Sequence, residues 1–472
     1  MAFTSASFIV LTIASVLLYY IVPKKAQWCI LLLASAAFYM AGSVKAFAWV
    51  VLVAGMTWVT GLILGRYNAI KPADKAQKAQ IQHKKKQIAI ICAVCCFGLL
   101  YAMKYWNFTL ELLPSALGNH IPRWDFVVPL GLSFFIFQSM SYVIDVYRGK
   151  YAPERNPLRY GLFVSFFPQI MQGPIGRFDK LGKTLFAGNS FNLQNIQFGI
   201  QRIFWGLFKK MILADRAGVF VAMIFNKPDE YGGAMAIIAV LMYSIQLYAD
   251  FSGGIDIVIG VAQLFGVTMD ENFRQPYFSK SIGEFWRRWH ITLGTWMKDY
   301  IFYPFSLSKS MAKFGKWSKK KFGNNVGKLL PVGLADILVF FVVGVWHGAA
   351  WKYIMYGIYN GVIVAGSGML APVYAKIQEK LHINPKKWWY QGFCIIRTFI
   401  LVNIGFYFDM ANDLRAANAM LVQTVTKAHI SQLSMAAVKA VGLTSQDLLI
   451  VIAGCIIIFV VSLLKEKGIN IR

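Results

Sequence analysis

Acidic residues are scarce in this chain. Its 472 residues carry 21 Asp and Glu against 48 Lys and Arg, a formal net charge of +27. The excess does not point to nucleic acid, because the basic residues sit between apolar runs and no nucleic-acid module accompanies them. They gather at Lys24 and Lys25, in residues 71–86, 309–328 and 376–387, and at Lys465, Lys467 and Arg472, as the positive-inside rule expects of cytoplasmic loops. Cysteines number six, all in or beside apolar runs, and the single CxxC (Cys92, Cys95) has no second CxxC or HxxxH to complete a zinc site. No metal site is expected. The sequence has no Gly-x-Ser-x-Gly, HExxH or Walker-type loop, so serine hydrolase, zinc protease and ATPase readings lose their support. There is no positive n-region before the first apolar run; that run reads as a retained span with its amino terminus outside.

Apolar surface, by contrast, is abundant: 57% of residues are hydrophobic and 15% aromatic. One soluble core of this size does not bury that much. Runs near the roughly 20 residues that cross a hydrocarbon core in a helix recur along the chain. They do not alternate, which excludes the strands of an outer-membrane barrel. The expectation is an all-α polytopic membrane protein, one integral unit over residues 1–472, with about eleven spans: near 5–22, 28–42, 46–65, 88–103, 127–147, 196–225, 233–262, 331–346, 353–370, 391–408 and 447–464. An odd count beginning outside ends inside, in agreement with the basic carboxyl terminus.

Three segments depart from simple spans. In residues 159–176, Phe166-Phe167-Pro168-Gln169 and Gly173-Pro174-Ile175-Gly176 break a helix, predicting a re-entrant or broken segment buried in protein. Residues 282–306 mix Trp, Phe and Tyr with Glu284, Arg287, Arg288, His290, Lys298 and Asp299, predicting an amphipathic helix at the membrane surface or dipping into a funnel. Residues 409–446 form the longest candidate external loop, with an amphipathic helix around Leu414, Ala417, Met420, Leu421 and Val425.

Histidine is rare as well, with six in all, and two of these stand beside tryptophans in apolar surroundings: His290 in Phe285-Trp286-Arg287-Arg288-Trp289-His290, and His347 in Gly344-Val345-Trp346-His347-Gly348. Ionisable groups in apolar spans are functional-site candidates by default. A structural histidine hydrogen-bonded between helices is the plain alternative; a neutral imidazole acting as general base is the functional one. Around His290, the aromatics and cations read either as an interfacial belt or as an anionic-substrate funnel, in which Arg287, Arg288 and Lys298 meet donor phosphates while Trp286 and Trp289 stack on the donor or line an acyl path; Trp346, beside His347, is a further candidate substrate contact. Gln246-Leu247-Tyr248-Ala249-Asp250-Phe251-Ser252-Gly253-Gly254-Ile255-Asp256 places two carboxylates and a double glycine in an apolar span. It predicts a broken intramembrane helix, with Gln246 and Asp250 as candidate substrate contacts; alternatively, Asp250 and Asp256 pair with a membrane arginine or cap the broken helix and are purely structural.

The constellation resembles the membrane-bound O-acyltransferase family, in the branch containing bacterial alginate O-acetylation and teichoic acid D-alanine transfer proteins. The resemblance rests on residues 248–254, Glu271-Asn272-Phe273 with Pro276-Tyr277, residues 284–293 and Val345-Trp346-His347-Gly348. Upstream, residues 129–134, Ile144-Asp145-Val146-Tyr147-Arg148-Gly149 and the two broken motifs named above match too. Together they mark a core over about residues 125–410, nearer the alginate type, although Gln172-Gly173-Pro174-Ile175-Gly176-Arg177 departs from that type's pattern.

The resemblance implies a funnelled helical fold with His347 catalytic and deep in the membrane, whereas hydropathy puts His347 near the outer end of its span. It implies His290 as the second functional histidine. It implies further a bacterial cytoplasmic-membrane enzyme, in contact with lipid, that moves an acetyl group from cytoplasmic acetyl-CoA to a hydroxyl outside. No permanently bound cofactor is implied, and an extracytoplasmic esterase-like partner completes delivery to a polysaccharide. The rivals are D-alanyl transfer from an acyl carrier protein to teichoic acid, kept open by Lys84-Lys85-Lys86 and Lys319-Lys320-Lys321, a transporter with an intramembrane Asp250, and a scaffold for a polymer synthase.

Overall fold

A computed structural model describes residues 3–471, apart from 115–117, 119, 171, 228–229, 232, 430–441 and 443. The described residues are helical, with one isolated antiparallel bridge between Phe273 and Trp289. Seven helices combine the length and apolarity needed to cross a membrane: Val44–Ala69, Lys75–Lys104, Gly233–Leu264, Val326–His347, Trp351–Lys380, Trp388–Met410 and Ser445–Glu466. Ala6–Ile21 and Leu132–Tyr147 are apolar but shorter. Expected spans thus coincide with helices, while the full count of eleven goes beyond what length and composition establish. The expected span at 196–225 is divided, with helices Leu193–Leu207 and Asp215–Asn226 separated by a π-helical stretch at Phe208–Ala214.

The starts of these helices are set by local chemistry. Ser5, Ser43, Asp74 and Ser308 each accept a backbone N–H from the first turn they precede, and Thr444 with Asp447 forms a reciprocal capping box. Each cap satisfies donors that a helix cannot satisfy internally.

By its internal contacts the chain divides into two compact units, one of residues 1–206 with 254–270, the other of residues 207–253 with 271–472. In the first, Leu132–Tyr147 is buried along most of its length. Gly61 leaves the space that the Tyr142 ring fills: a Cβ there would stand 2.6 Å from the ring. Tyr142 in turn accepts the Glu154 backbone N–H at 3.0 Å, and the Tyr160 hydroxyl donates to Thr57 at 2.9 Å. After the helix Pro157–Ser165, residues 166–170 and 172–177 are irregular and largely buried, as the prolines and glycines predict. Side chains supply the bonds a helix would have made: Ser35 accepts the Phe167 N–H at 3.1 Å, and Gln169 donates to the Pro174 carbonyl at 2.6 Å.

The predicted break at Gly253-Gly254 is not there. Gly233–Leu264 runs as one helix, because glycine within a helix costs only about 1 kcal/mol. What Gly254 provides is close approach, since a Cβ at that position would collide with the Gln172 side-chain oxygen. Asp256, two residues further on, receives both Nε and Nη2 of Arg202 at 2.9 Å within the same unit. The structural alternative for Asp256 therefore holds.

In the second unit a hydrophobic core gathers Phe220, Phe225, Tyr243, Phe285, Trp289, Tyr356, Phe406 and Met420. The helix Leu414–Thr426 forms as its amphipathic pattern predicts, burying Ala417 and Met420; most of the expected loop beyond it lies outside the described residues. Lys309–His347 bends at Gly323, whose φ of 77° suits glycine. Its apolar arm pairs with Trp351–Lys380 as a hairpin in which Gly344 and Gly357 bring their backbones close together; a Cβ on Gly357 would run into the Phe340 carbonyl oxygen. That backbone approach sets the place of Trp346 and His347 at the end of the arm.

Candidate active site

Residues 282–306 are not the single helix that the amphipathic pattern predicts. Ile282–Arg288 and Ile291–Met297 are separate short helices joined at His290, which adopts a left-handed conformation with φ 46° and ψ 53°. For a residue with a Cβ this costs on the order of 1 kcal/mol or more, so surrounding bonds must hold it. Asn272, fully buried, supplies them: its Oδ1 accepts the Thr292 N–H at 2.9 Å and the Thr292 hydroxyl at 2.7 Å, and its carbonyl accepts the Ile291 N–H at 3.0 Å. On the other side Arg274 donates its N–H to the Arg288 carbonyl at 3.0 Å. The chain before the turn and the turn itself are thus laced together, and the imidazole is driven into the core, 5% exposed.

The two histidines meet around one tryptophan. The Trp346 ring centroid lies 5.7 Å from that of His290 and 5.2 Å from that of His347. Phe251 packs edge-on against His290 at 4.8 Å, and Tyr356 against His347 at 5.4 Å. Trp289 stacks on Phe285 at 5.4 Å and meets Phe273 edge-on, while Trp286 abuts Phe340 and Tyr356. These rings surround both imidazoles with apolar surface.

His347 closes its helix and keeps its side chain 28% exposed, so the ring is reachable. Its Nδ1 lies 3.6 Å from Asp409 Oδ1, and the Tyr243 hydroxyl donates to Asp409 Oδ2 at 2.7 Å. Lys352 directs its ammonium to the carbonyls of Asp409 and Ala411, at 3.2 and 2.7 Å.

Of the residues expected from sequence, His290, His347, Trp286, Trp289 and Trp346 come together. Gln246 is half-buried, with its Oε1 enclosed and its side chain against Gly218. Asp250 forms an ion pair with Lys210 at 2.6 Å, and Lys210 reaches Asp215 as well; the neighbouring Lys209 bonds Ser252 at 2.8 Å. Arg288 is held between Glu284 at 2.7 Å and a two-pronged contact with Glu466 at 2.6 and 2.9 Å. Arg287 is exposed, and Lys298, also exposed, lies over the Tyr303 ring at 5.5 Å. Sequence reasoning passed over Asn272, Tyr243 and Asp409 as functional residues. Asp409 carried a signal, being a carboxylate at the end of an apolar span.

The model of the membrane-bound O-acyltransferase family matches residues 122–318. The chain is 32% identical to a probable alginate O-acetylase of Azotobacter vinelandii, an alignment covering 88% of this chain and 76% of that protein. It is 31% identical to a peptidoglycan O-acetyltransferase of Helicobacter pylori, over 74% of this chain and 66% of that one. With a teichoic acid D-alanyltransferase of Bacillus subtilis it shares 30% identity, over 65% and 74% of the two chains. The apolar helices and these relatives together define a multi-pass membrane acyltransferase. The chain belongs to the membrane-bound O-acyltransferase family.

Proposed function

We propose that the enzyme takes an acetyl group from cytoplasmic acetyl-CoA and passes it through the bilayer for O-acetylation of an extracytoplasmic polysaccharide, from the bacterial cytoplasmic membrane. The observation that carries this reading is the pair of imidazoles on either contact of Trp346 within one aromatic-walled site. His347, the more accessible, takes the proton of the attacking hydroxyl as its oxygen bonds to the thioester carbonyl; the C–S bond then breaks and the imidazolium returns the proton to the leaving thiolate. General-base help of this kind is worth about 10²- to 10⁴-fold. His290, fixed by its turn, positions the thioester or stabilises the oxyanion. Arg287 and Lys298, being exposed, are available to donor phosphates, whereas Arg288 would have to leave two carboxylates first.

The relatives named for alginate and peptidoglycan acetylation support an acetyl donor and a polysaccharide acceptor. A second reading, D-alanyl transfer from a carrier-protein thioester to teichoic acid, draws on the Bacillus relative. The test offers purified enzyme labelled acetyl-CoA and, separately, a D-alanyl-loaded carrier, with an extracytoplasmic esterase-like protein and polysaccharide as acceptors. Label from acetyl-CoA in the acceptor supports the first reading. Turnover confined to the carrier thioester replaces it with the second, and turnover of neither donor removes both.

A further inference from the structure

We infer that Asp409, itself held by Tyr243, is a positioning residue that fixes the tautomer and orientation of His347; this rests on the general-base reading above. Asp409 follows the buried Phe406, Tyr407 and Phe408 in its helix, with 7% of its own side chain exposed. A carboxylate in such a setting is stable only where hydrogen bonds or a partner charge answer it. Tyr243 answers one oxygen, at 2.7 Å. The ammonium of Lys352 is close enough to act on the carboxylate as a charge, but its hydrogen bonds go to the backbone carbonyls of Asp409 and Ala411. Oδ1 is left facing His347 Nδ1 at 3.6 Å, a gap that a small rotation of the ring closes to hydrogen-bond length.

The consequence is chemical. An imidazole whose Nδ1 donates to a carboxylate carries its lone pair on Nε2, the atom needed to accept a proton, and the same carboxylate steadies the imidazolium formed in the step. The four residues that build this arrangement come from separate helices: Tyr243 from Gly233–Leu264, Asp409 from Trp388–Met410, His347 from the end of Lys309–His347, and Lys352 from the start of Trp351–Lys380. Lys352 ties the last of these to the backbone at Asp409, so the hairpin that ends one arm in His347 is anchored beside the carboxylate.

The experiment uses full-length enzyme in nanodiscs and compares wild type with Asp409→Asn, Tyr243→Phe and His347→Ala. Asp409→Asn keeps side-chain volume but offers Nδ1 an amide, and kcat is expected to fall by up to about 10⁴-fold, the loss seen when the orienting carboxylate of a hydrolase triad becomes an amide, with KM for acetyl-CoA unchanged. In ¹⁵N-histidine spectra the His347 resonances, assigned by their loss in His347→Ala, are expected to change from the Nδ1–H to the Nε2–H tautomer. Tyr243→Phe, which leaves the carboxylate in place, is expected to lower kcat several-fold and serves as the test if Asp409→Asn does not fold. Wild-type kcat in Asp409→Asn, or a fall in kcat with the tautomer unaltered, overturns the proposal. Should Asp409→Asn fail to fold, wild-type kcat in Tyr243→Phe overturns it. If His347→Ala still turns over, the general-base reading fails instead. If that variant is dead while Asp409→Asn is fully active, only the positioning role is lost.

Discussion

Asn272 Oδ1 accepts both the backbone N–H and the side-chain hydroxyl of Thr292, at 2.9 and 2.7 Å. The bonds brace the strained turn at His290 and explain how a left-handed histidine is kept at a helix junction. Asn272→Ala removes both of these buried bonds, at a cost of about 1–3 kcal/mol. The expected outcome is a lower unfolding temperature in detergent together with a fall in turnover, because His290 is no longer held. An unchanged melting curve would show that the turn is fixed by other bonds.

His290 itself separates conformation from chemistry. Glycine accepts φ 46° without a steric penalty and valine does not. His290→Gly is therefore expected to keep the fold and lose transfer, while His290→Val loses both; thermal unfolding and a thioester-cleavage assay distinguish them. Full transfer by the glycine variant would make His290 a purely structural residue.

Arg202 and Asp256 form a largely buried ion pair, with side chains 19% and 14% exposed. Removing one partner of a buried pair costs up to about 3–5 kcal/mol. Arg202→Ala is expected to lower the yield and melting temperature of folded protein while the kcat of the surviving fraction stays normal. A large fall in kcat with stability intact would mean the pair takes part in the reaction.

Gly357 admits the backbone of the neighbouring helix. Even alanine there would drive its Cβ into the Phe340 carbonyl oxygen, and backbone yields poorly in a packed interior. Gly357→Val is expected to be poorly folded and inactive, whereas Gly366→Val, where added atoms meet open space, is expected to behave like wild type. Size-exclusion profiles of the two check this.

Apolar runs made the helices legible, because their length and composition are local properties; the buried irregular segment was equally plain from its prolines. The geometry at His290 was not. A left-handed histidine is produced by bonds from Asn272, and the amphipathic pattern of residues 282–306 continues across the turn undisturbed. Gly253-Gly254 misled in the opposite direction, since a helix tolerates both glycines when a neighbouring side chain uses the space at one of them. The two histidines announced themselves by rarity in apolar surroundings. Tyr243 and Asp409 did not, because their pairing exists only once separate helices have packed.

The central claim is that His347 moves the proton in acyl transfer, and single-turnover cleavage of labelled acetyl-CoA by wild-type and His347→Ala enzyme in nanodiscs, with acceptor present, tests it most directly. A loss of about 10²-fold or more in the rate of the chemical step, with an unfolding temperature equal to wild type, is the expected result. Cleavage and transfer at the wild-type rate in the alanine variant would contradict it.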